Sequence, residues 1–298
     1  MKIAVVGSIN MDQVVLSTRI PLKGETVQGE RVTYKYGGKG ANQAIALARL
    51  GADVLMFGKV GDDSNGKNLL NNFKENNVNI DNIEVEKSET SGLAVITLGD
   101  NDNTIVVIPG ANAKVDKLYI DNHKDALLLC DMVVLQHEIP LETNEYVINF
   151  CKENNIKVLL NPAPANKLSK NIVDKVDYLT PNETESGIIF GIETDINSLI
   201  KKVEEYKGKL IITCGSNGVL GYVEGKGVIN IPIRKSKVVD TTGAGDTFNS
   251  AFVYARCKGF DMEEALKFAN IASGISVEKL GAQGGMPVLE EVEKEYNK

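Results

Sequence analysis

Residues 44–61 read A-I-A-L-A-R-L-G-A-D-V-L-M-F-G-K-V-G. In the first half, apolar residues are interrupted by a single arginine and stopped by Gly51, the pattern of an amphipathic helix closed by a glycine. The second half is a short, uninterrupted apolar run bounded by Gly58, too brief for a helix and typical of a buried strand. One helix feeding directly into one buried strand is half of a βαβ unit. The same alternation spreads in both directions: I-A-V-V-G (3–7) precedes it, and M-V-V-L-Q (132–136), K-V-L-L-N (157–161) and L-I-I-T-C-G (210–215) follow. Strands apolar on both faces, separated by amphipathic helices, belong to a parallel sheet covered on both sides. The fold class is therefore α/β, a three-layer α/β/α arrangement around a mostly parallel sheet. Helices are expected near residues 40–51, 65–76, 142–154, 196–206, 244–258 and 261–279.

Two regions break this rhythm. Residues 11–36 and 90–109 are strand-like, and the second carries a turn at Gly99 to Asn103 between two alternating segments, a hairpin pattern. They predict a small accessory sheet. There is no Pro-, Gly- or Ser-rich linker, repeat or low-complexity tract, so residues 1–298 read as one domain with a strand-built flap.

The 298 residues, 43% of them hydrophobic, provide ample core without staples. Four scattered cysteines, with neither C-x-x-C nor zinc-like spacing, suggest no disulfide framework or metal finger and fit a reducing cytoplasm. The opening M-K-I-A-V-V-G is too short for a secretory h-region and reads as a first strand, and no later segment predicts a membrane span. A net charge of −7 argues against nucleic-acid binding, which needs a basic face. A small anion held locally remains open.

The motifs G-x-x-x-x-G-K-[ST], G-x-G-x-x-G, G-x-S-x-G and H-E-x-x-H are all absent, which removes P-loop, Rossmann, serine hydrolase and zinc protease readings. What remains is D-T-T-G-A-G-D-T-F at 240–248. Gly243 and Gly245 let backbone approach a ligand, and the helical pattern that follows puts a positive dipole end there, so the run reads as an anion hole. Asp246 in the first helical turn is either a dipole-stabilising acid or, beside amides that cradle a phosphoryl group, a general base for an attacking hydroxyl. A second cluster, Y-G-G-K-G-A-N-Q-A at 36–44, reads as a tight turn or as a surface where backbone amides, Lys39 and Asn42 meet a polyol. Asn10 and Asp12 follow the first strand, where open α/β sheets bind ligands, although two polar residues there also cap turns. In T-P-N-E-T-E (180–185), Asn182 and Glu185 are spaced to address one ligand or to cap a helix. Residues 211–219 read strand, turn, strand.

Taken in order, G-S-I-N-M-D, Y-G-G-K-G-A-N-Q-A, L-Q-H-E, N-P-A-P-A, T-P-N-E-T-E, T-C-G-S-N-G and D-T-T-G-A-G-D-T-F resemble the ribokinase family of carbohydrate kinases over essentially the whole chain. The resemblance implies ATP-dependent phosphorylation of a sugar, D-ribose at O5 first, under a β lid that also forms a homodimer contact. It implies a sugar held by Asn10, Asp12, Gly38, Lys39, Gly40, Ala41, Asn42 and Glu138, with Asp246 as base and Gly243, Ala244 and Gly245 as anion hole. Asn182 and Glu185 would lie near the ATP phosphates and their Mg²⁺, with further nucleotide contacts from Thr213, Cys214, Gly215, Ser216, Asn217, Gly218, Gly245, Asp246 and Asn270. A monovalent cation such as K⁺ would sit at Asp240, Thr242, Ser276, Lys279, Gly281 and Gly285, where Gly285 replaces a side-chain hydroxyl frequent in the family. A kinase for another sugar or a nucleoside is the nearest rival, and a non-catalytic sugar- or nucleotide-binding regulator is the rival of a different class.

Overall fold

The computed structural model describes every residue except Asn101. The expected turn at Gly99–Asn103 therefore lies partly outside the described residues.

Thirteen strands form three sheets among the described residues. The central one contains β1 (Lys2–Val6), β4 (Asp53–Gly61), β5 (Asn79–Glu86), β8 (Met132–Gln136), β9 (Lys157–Asn161) and β10 (Tyr178–Leu179), in the order β10-β9-β8-β1-β4-β5. All of its neighbours run parallel. Register explains the apolar runs. Ile3 faces Val54 and Met132 across the sheet, and Ala4 faces Leu55 and Val133. Ile3, Val54 and Met132 belong to one buried cluster, and Ala4, Leu55 and Val133 to another. Alternate residues of every strand thus feed opposite faces, and both faces must be apolar.

Helices cover the two faces. The first cluster is filled by α1 (Lys39–Arg49), α2 (Ser64–Glu75), α8 (Ala244–Cys257), α9 (Met262–Ser276) and α11 (Leu289–Tyr296). The second is filled by α3 (Lys117–Leu127), α4 (Leu141–Glu153), α5 (Lys170–Lys175) and α7 (Ile196–Glu205). Two short helices, α6 (Glu183–Phe190) and α10 (Ala282–Gly285), stand near the sheet's carboxyl edge, where the site lies. The three layers and all six expected helices are present; α6 matches the helix-cap reading of residues 180–185, and α3, α5, α10 and α11 were not foreseen. No helix of the described residues is long and apolar enough to cross a membrane.

The accessory sheet contains β2 (Asn10–Ser17), β3 (Gly29–Gly37), β6 (Gly92–Gly99) and β7 (Asp102–Ile108), ordered β3-β2-β6-β7. It is mixed, because β2 and β6 run parallel while the outer pairs are antiparallel. Only Gly7–Ile9 separate β1 in the core from β2 in the flap. A third sheet, β11 (Ile212–Thr213), β12 (Val219–Val223) and β13 (Gly227–Ile231), extends the central one through isolated bridges Leu179–Leu210 and Asn182–Thr213.

Gly40 shows why α1 begins with glycines. A Cβ there would lie 2.6 Å from the Ser8 nitrogen and 2.7 Å from the Gly7 carbonyl carbon. The start of α1 can therefore lie against the β1–β2 corner, where Ala41 N–H donates to the Ser8 carbonyl at 2.9 Å. Replacing Gly40 by Ala is expected to lower unfolding stability by about 1–3 kcal/mol, as overpacking of a rigid contact does. Chemical denaturation would check this, and an unchanged midpoint would show that the corner yields.

Candidate active site

Two cavities meet at the carboxyl edge of the central sheet. The smaller, about 240 Å³, is lined among others by Lys39, Asn161, Glu185, Gly243, Asp246 and Asn249. The larger, about 540 Å³, runs past Gly215, Ser216, Gly218, Ser273 and Asn270 over an apolar floor of Val219, Ile233, Val238, Phe248 and Val277. Asn182, Thr213, Thr241 and Gly245 line both, so the cavities abut at the start of α8.

Helix α8 supplies that junction. Gly243, with φ of 79°, precedes its first turn in the left-handed region, and a Cβ there would meet Ala282 at 2.8 Å. Gly245 has open space where a side chain would be. Among the described residues, no protein acceptor takes the N–H of Gly243, Gly245 or Asp246. The Ala244 N–H donates to the Thr241 carbonyl at 3.2 Å, so it reaches an anion only by giving up that turn bond. The free amides and the helix dipole make this an electropositive spot despite the chain's net negative charge.

Asp246 is 7% exposed. Its Oδ2 accepts from Asn42 Nδ2 and its Oδ1 from Gln43 Nε2, both at 2.9 Å. Burial pushes its pKa above the ordinary value, opposed by the Lys39 ammonium and those two amides. For Lys39 the signs reverse. Burial works against its charge, but Asp246, Glu138 and Glu185 outweigh this and hold its pKa above the usual lysine value.

A polar cluster lies beyond Lys39, at the corner between β1 and the flap. Glu138 Oε2 accepts from the Lys39 N–H at 2.9 Å and from Ser8 Oγ at 2.5 Å. Gly38 packs against Asn10, where a Cβ would lie 2.8 Å from the Asn10 nitrogen. Asn10 Oδ1 accepts from Asn112 Nδ2 at 2.7 Å, and Asn112 Oδ1 in turn accepts from Ile9 N–H. Asp12 is pushed up to about 6, first by burial and then by Glu138, against the pull of Lys35. Asn10, Asp12, Gly38, Lys39, Gly40, Ala41, Asn42 and Glu138 are thus gathered around one corner.

Asn182 and Glu185 meet the capping reading of their spacing. They form a capping box at α6, with Glu185 N–H donating to Asn182 Oδ1 and Asn182 N–H to Glu185 Oε2, each at 2.8 Å. They also line the smaller cavity. Thr213, Gly215, Ser216, Gly218 and Asn270 line the larger one, whereas the Cys214 and Asn217 side chains do not. The Asn270 amide is committed to the rim, donating to the Ile231 and Pro232 carbonyls.

Asp240 ties two loops together. Its Oδ1 accepts from Thr242 N–H and Oγ1, and its Oδ2 from Gly281 N–H at 2.8 Å. Burial raises its pKa but the Thr242 and Gly281 bonds prevail, leaving it below the ordinary value. At Gly285 a Cβ would lie 2.0 Å from the Ser276 carbonyl oxygen, so no side-chain hydroxyl fits there. No group of three or more His, Cys, Asp or Glu side chains able to hold a metal occurs among the described residues.

Sequence reasoning missed Asn112, Gln43, Asn161, Asn249 and Gln283. Asn112 had no motif around it, and Asn249 lies just past the end of D-T-T-G-A-G-D-T-F. Gln43 carried one signal, since A-N-Q-A-I-A-L-A places two amides inside an otherwise apolar helix face.

A model of the pfkB family of carbohydrate kinases matches residues 1–289. Ribokinase of Bacillus subtilis (strain 168) is 48% identical over 292 residues, covering 98% of each chain. Ribokinase of Lactococcus lactis subsp. lactis (strain IL1403) is 47% identical, covering 98% of this chain and 95% of its own. Among solved structures, the Arabidopsis thaliana ribokinase complexed with ribose and ATP superposes with a TM-score of 0.93 at 32% identity, covering 99% of this chain and 98% of that one.

The raised Asp12 carboxyl has a consequence for stability. The folded state holds its proton up to about pH 6, the unfolded state only to about 3.8, so folding stability falls as pH rises between them. Asp12→Asn is expected to stabilise the ligand-free protein by about 1–3 kcal/mol at pH 7.5 and to have little effect near pH 4. Denaturant titrations at the two pH values would check this, and equal effects at both would refute it.

Proposed function

Because the chain belongs to the pfkB family of carbohydrate kinases, we propose that it transfers the γ-phosphoryl group of ATP to O5 of D-ribose. The observation that carries this reading is the juxtaposition of Asp246 with the unpartnered Gly243 and Gly245 amides at the junction of two cavities. The larger cavity has the volume and apolar lining for a nucleotide, whose phosphates would reach the shared wall of Gly245, Asn182 and Thr213. The polar corner of Asn10, Asp12, Gly38, Lys39, Asn42 and Glu138 presents acceptors and donors to sugar hydroxyls. Near-full-length similarity to ribokinases, one solved with ribose and ATP, supports the choice of sugar and nucleotide.

In the transfer, the Asp246 carboxylate accepts the proton of the attacking O5 hydroxyl. The new bond forms from O5 to the γ-phosphorus as the bond to the β,γ-bridging oxygen breaks, and ADP leaves. Amides of Gly243 and Gly245 donate to the phosphoryl oxygens as charge builds, with the Ala244 N–H joining if it leaves Thr241. Lys39, on the wall of the same cavity, keeps its charge and draws anions toward the base.

Mg²⁺, when bound, neutralises phosphate charge. With few side-chain ligands at hand, it would be carried mainly by ATP and water, beside Asn182 and Glu185. The all-oxygen set of the Asp240 carboxylate and the carbonyls of Thr242, Ser276, Lys279 and Gly281 suits a monovalent cation such as K⁺, which would stiffen the loop under the anion hole. Gly285 contributes no side chain to that set. The chain works as one domain.

A homodimer through the flap completes the reading. Every described residue of β7 is exposed, and Val32, Tyr34, Ile105, Val106 and Val107 leave an apolar, open-edged sheet that a second copy would cover. Light scattering is expected to give twice the 32.3 kDa chain mass, and Val106→Asp to shift it toward the monomer. A monomeric wild type would refute this.

A coupled assay over pentoses, 2-deoxyribose, hexoses and nucleosides tests the activity. D-ribose is expected to give the highest kcat/KM, and Asp246→Asn to lower kcat by about two to four orders of magnitude with little change in KM. Ligand binding without ADP formation would favour the regulator instead.

A further inference from the structure

The Asn42 and Gln43 amides that grip Asp246 are themselves oriented by other amides. Asn42 Oδ1 accepts from Gln283 Nε2 at 3.0 Å, and Gln283 Oε1 accepts from Asn72 Nδ2 at 2.9 Å. Gln43 Oε1 accepts from Gln136 Nε2 at 2.8 Å. Every link runs the same way, carbonyl upstream and NH₂ toward the carboxylate. One chain starts on α2 and ends on Oδ2; the other starts at the end of β8 and ends on Oδ1.

We propose that Gln283 and Gln136, neither of which touches the carboxylate, are positioning residues that lock the Asn42 and Gln43 amides N–H first onto Asp246. The proposal rests on the reading of Asp246 as the base. A primary amide can turn either end toward a neighbour, and the wrong end would set a carbonyl oxygen against the carboxylate. An upstream donor removes that choice, because the carbonyl is already engaged. Chained amides also polarise one another, so the last N–H is a stronger donor than an isolated one. Both effects favour the ionised acid in a place where burial opposes it, and both hold its remaining lone pairs toward the cavity.

The surroundings fit this role. Gln283 is 7% exposed and its backbone is clamped by Arg49, whose Nη1 donates to the Gln283 carbonyl at 2.5 Å and the Met286 carbonyl at 3.1 Å. Gln136 is fully buried and spends its NH₂ on Gln43 while its own Oε1 has no hydrogen-bond partner. That oxygen occupies the space where a Gly7 side chain would stand, 2.1 Å from the ideal Cβ position. An apolar residue would fill that space without an orphaned acceptor, so packing alone does not account for a glutamine there.

Gln283→Met and Gln136→Met remove one donor each while keeping side-chain length. Each is expected to lower kcat at least tenfold, keep KM for ATP within twofold, and move the acid limb of kcat/KM to higher pH by about half a unit or more. Either variant folding normally with wild-type kcat and acid limb would overturn the proposal. A purely structural role would lower the melting temperature and leave the pH profile in place. Should both variants misfold, NMR of the wild type decides: the side-chain amide signals of Gln283 and Gln136 must shift with the titration of Asp246 and lose that shift in Asp246→Asn. Signals indifferent to pH would sink the proposal. A wild type that phosphorylates no sugar or nucleoside defeats the functional reading instead, and the NMR result would still stand by itself.

Discussion

The structure turns on a single carboxyl group held out of water by amide donors. Asp246 sits in the first turn of α8 with both oxygens occupied by amides from α1, so two helices distant in sequence are joined at their starts. Burying an ionised group is costly unless it is paired and hydrogen-bonded. That requirement dictates the neighbourhood: two amide donors, a lysine held charged by three acids, and a helix dipole pointing at the same spot. The glycines serve this arrangement. Gly40 lets α1 lie against the β1–β2 corner, and Gly243 starts α8 against Ala282.

The electrostatics then divide the site in two. Around Gly243 and Gly245 the field favours anions, because amides point outward unpartnered. Around Asp12 and Glu138 two acids share a buried corner, where burial first and Glu138 second lift the Asp12 pKa to about 6. Lys39 stands at the boundary. An acidic chain can thus attract a highly charged nucleotide at one end of its groove and a neutral polyhydroxy compound at the other.

The sheet was legible because a strand buried on both faces needs apolar residues at every position, as in Val54–Phe57, and this survives as an unbroken run. The glycine clusters were legible because close approach leaves a mark in residue type. The α6 capping box shows the limit of local reading, since Asn182 and Glu185 cap a helix and face a cavity at once. Gln283, behind the Asn42 amide that holds Asp246, was not legible. Gln283 reaches Asn42 across 241 positions of chain, and nothing near either residue announces the other. Asn112 is similar, since its contact to Asn10 exists only once the flap has folded over the corner. Polar partners drawn together by tertiary structure leave no period or spacing to detect. The apolar outer strand β7 was legible as a strand, but its exposure was not.

The short passage Gly7–Ile9 between β1 and β2 carries a last implication. Asn10 and Asp12 ride on the flap sheet, whereas Asp246 and Gly245 ride on the three-layer body. A compound touching both sets would act as a removable rivet between two plates that are otherwise joined by four short chain crossings, at residues 7–9, 38, 87–91 and 109, and by a few corner bonds. Occupancy would then be readable as mechanical stiffness, and slower amide hydrogen exchange across β2 and β6 would report a filled groove far from the chemistry itself.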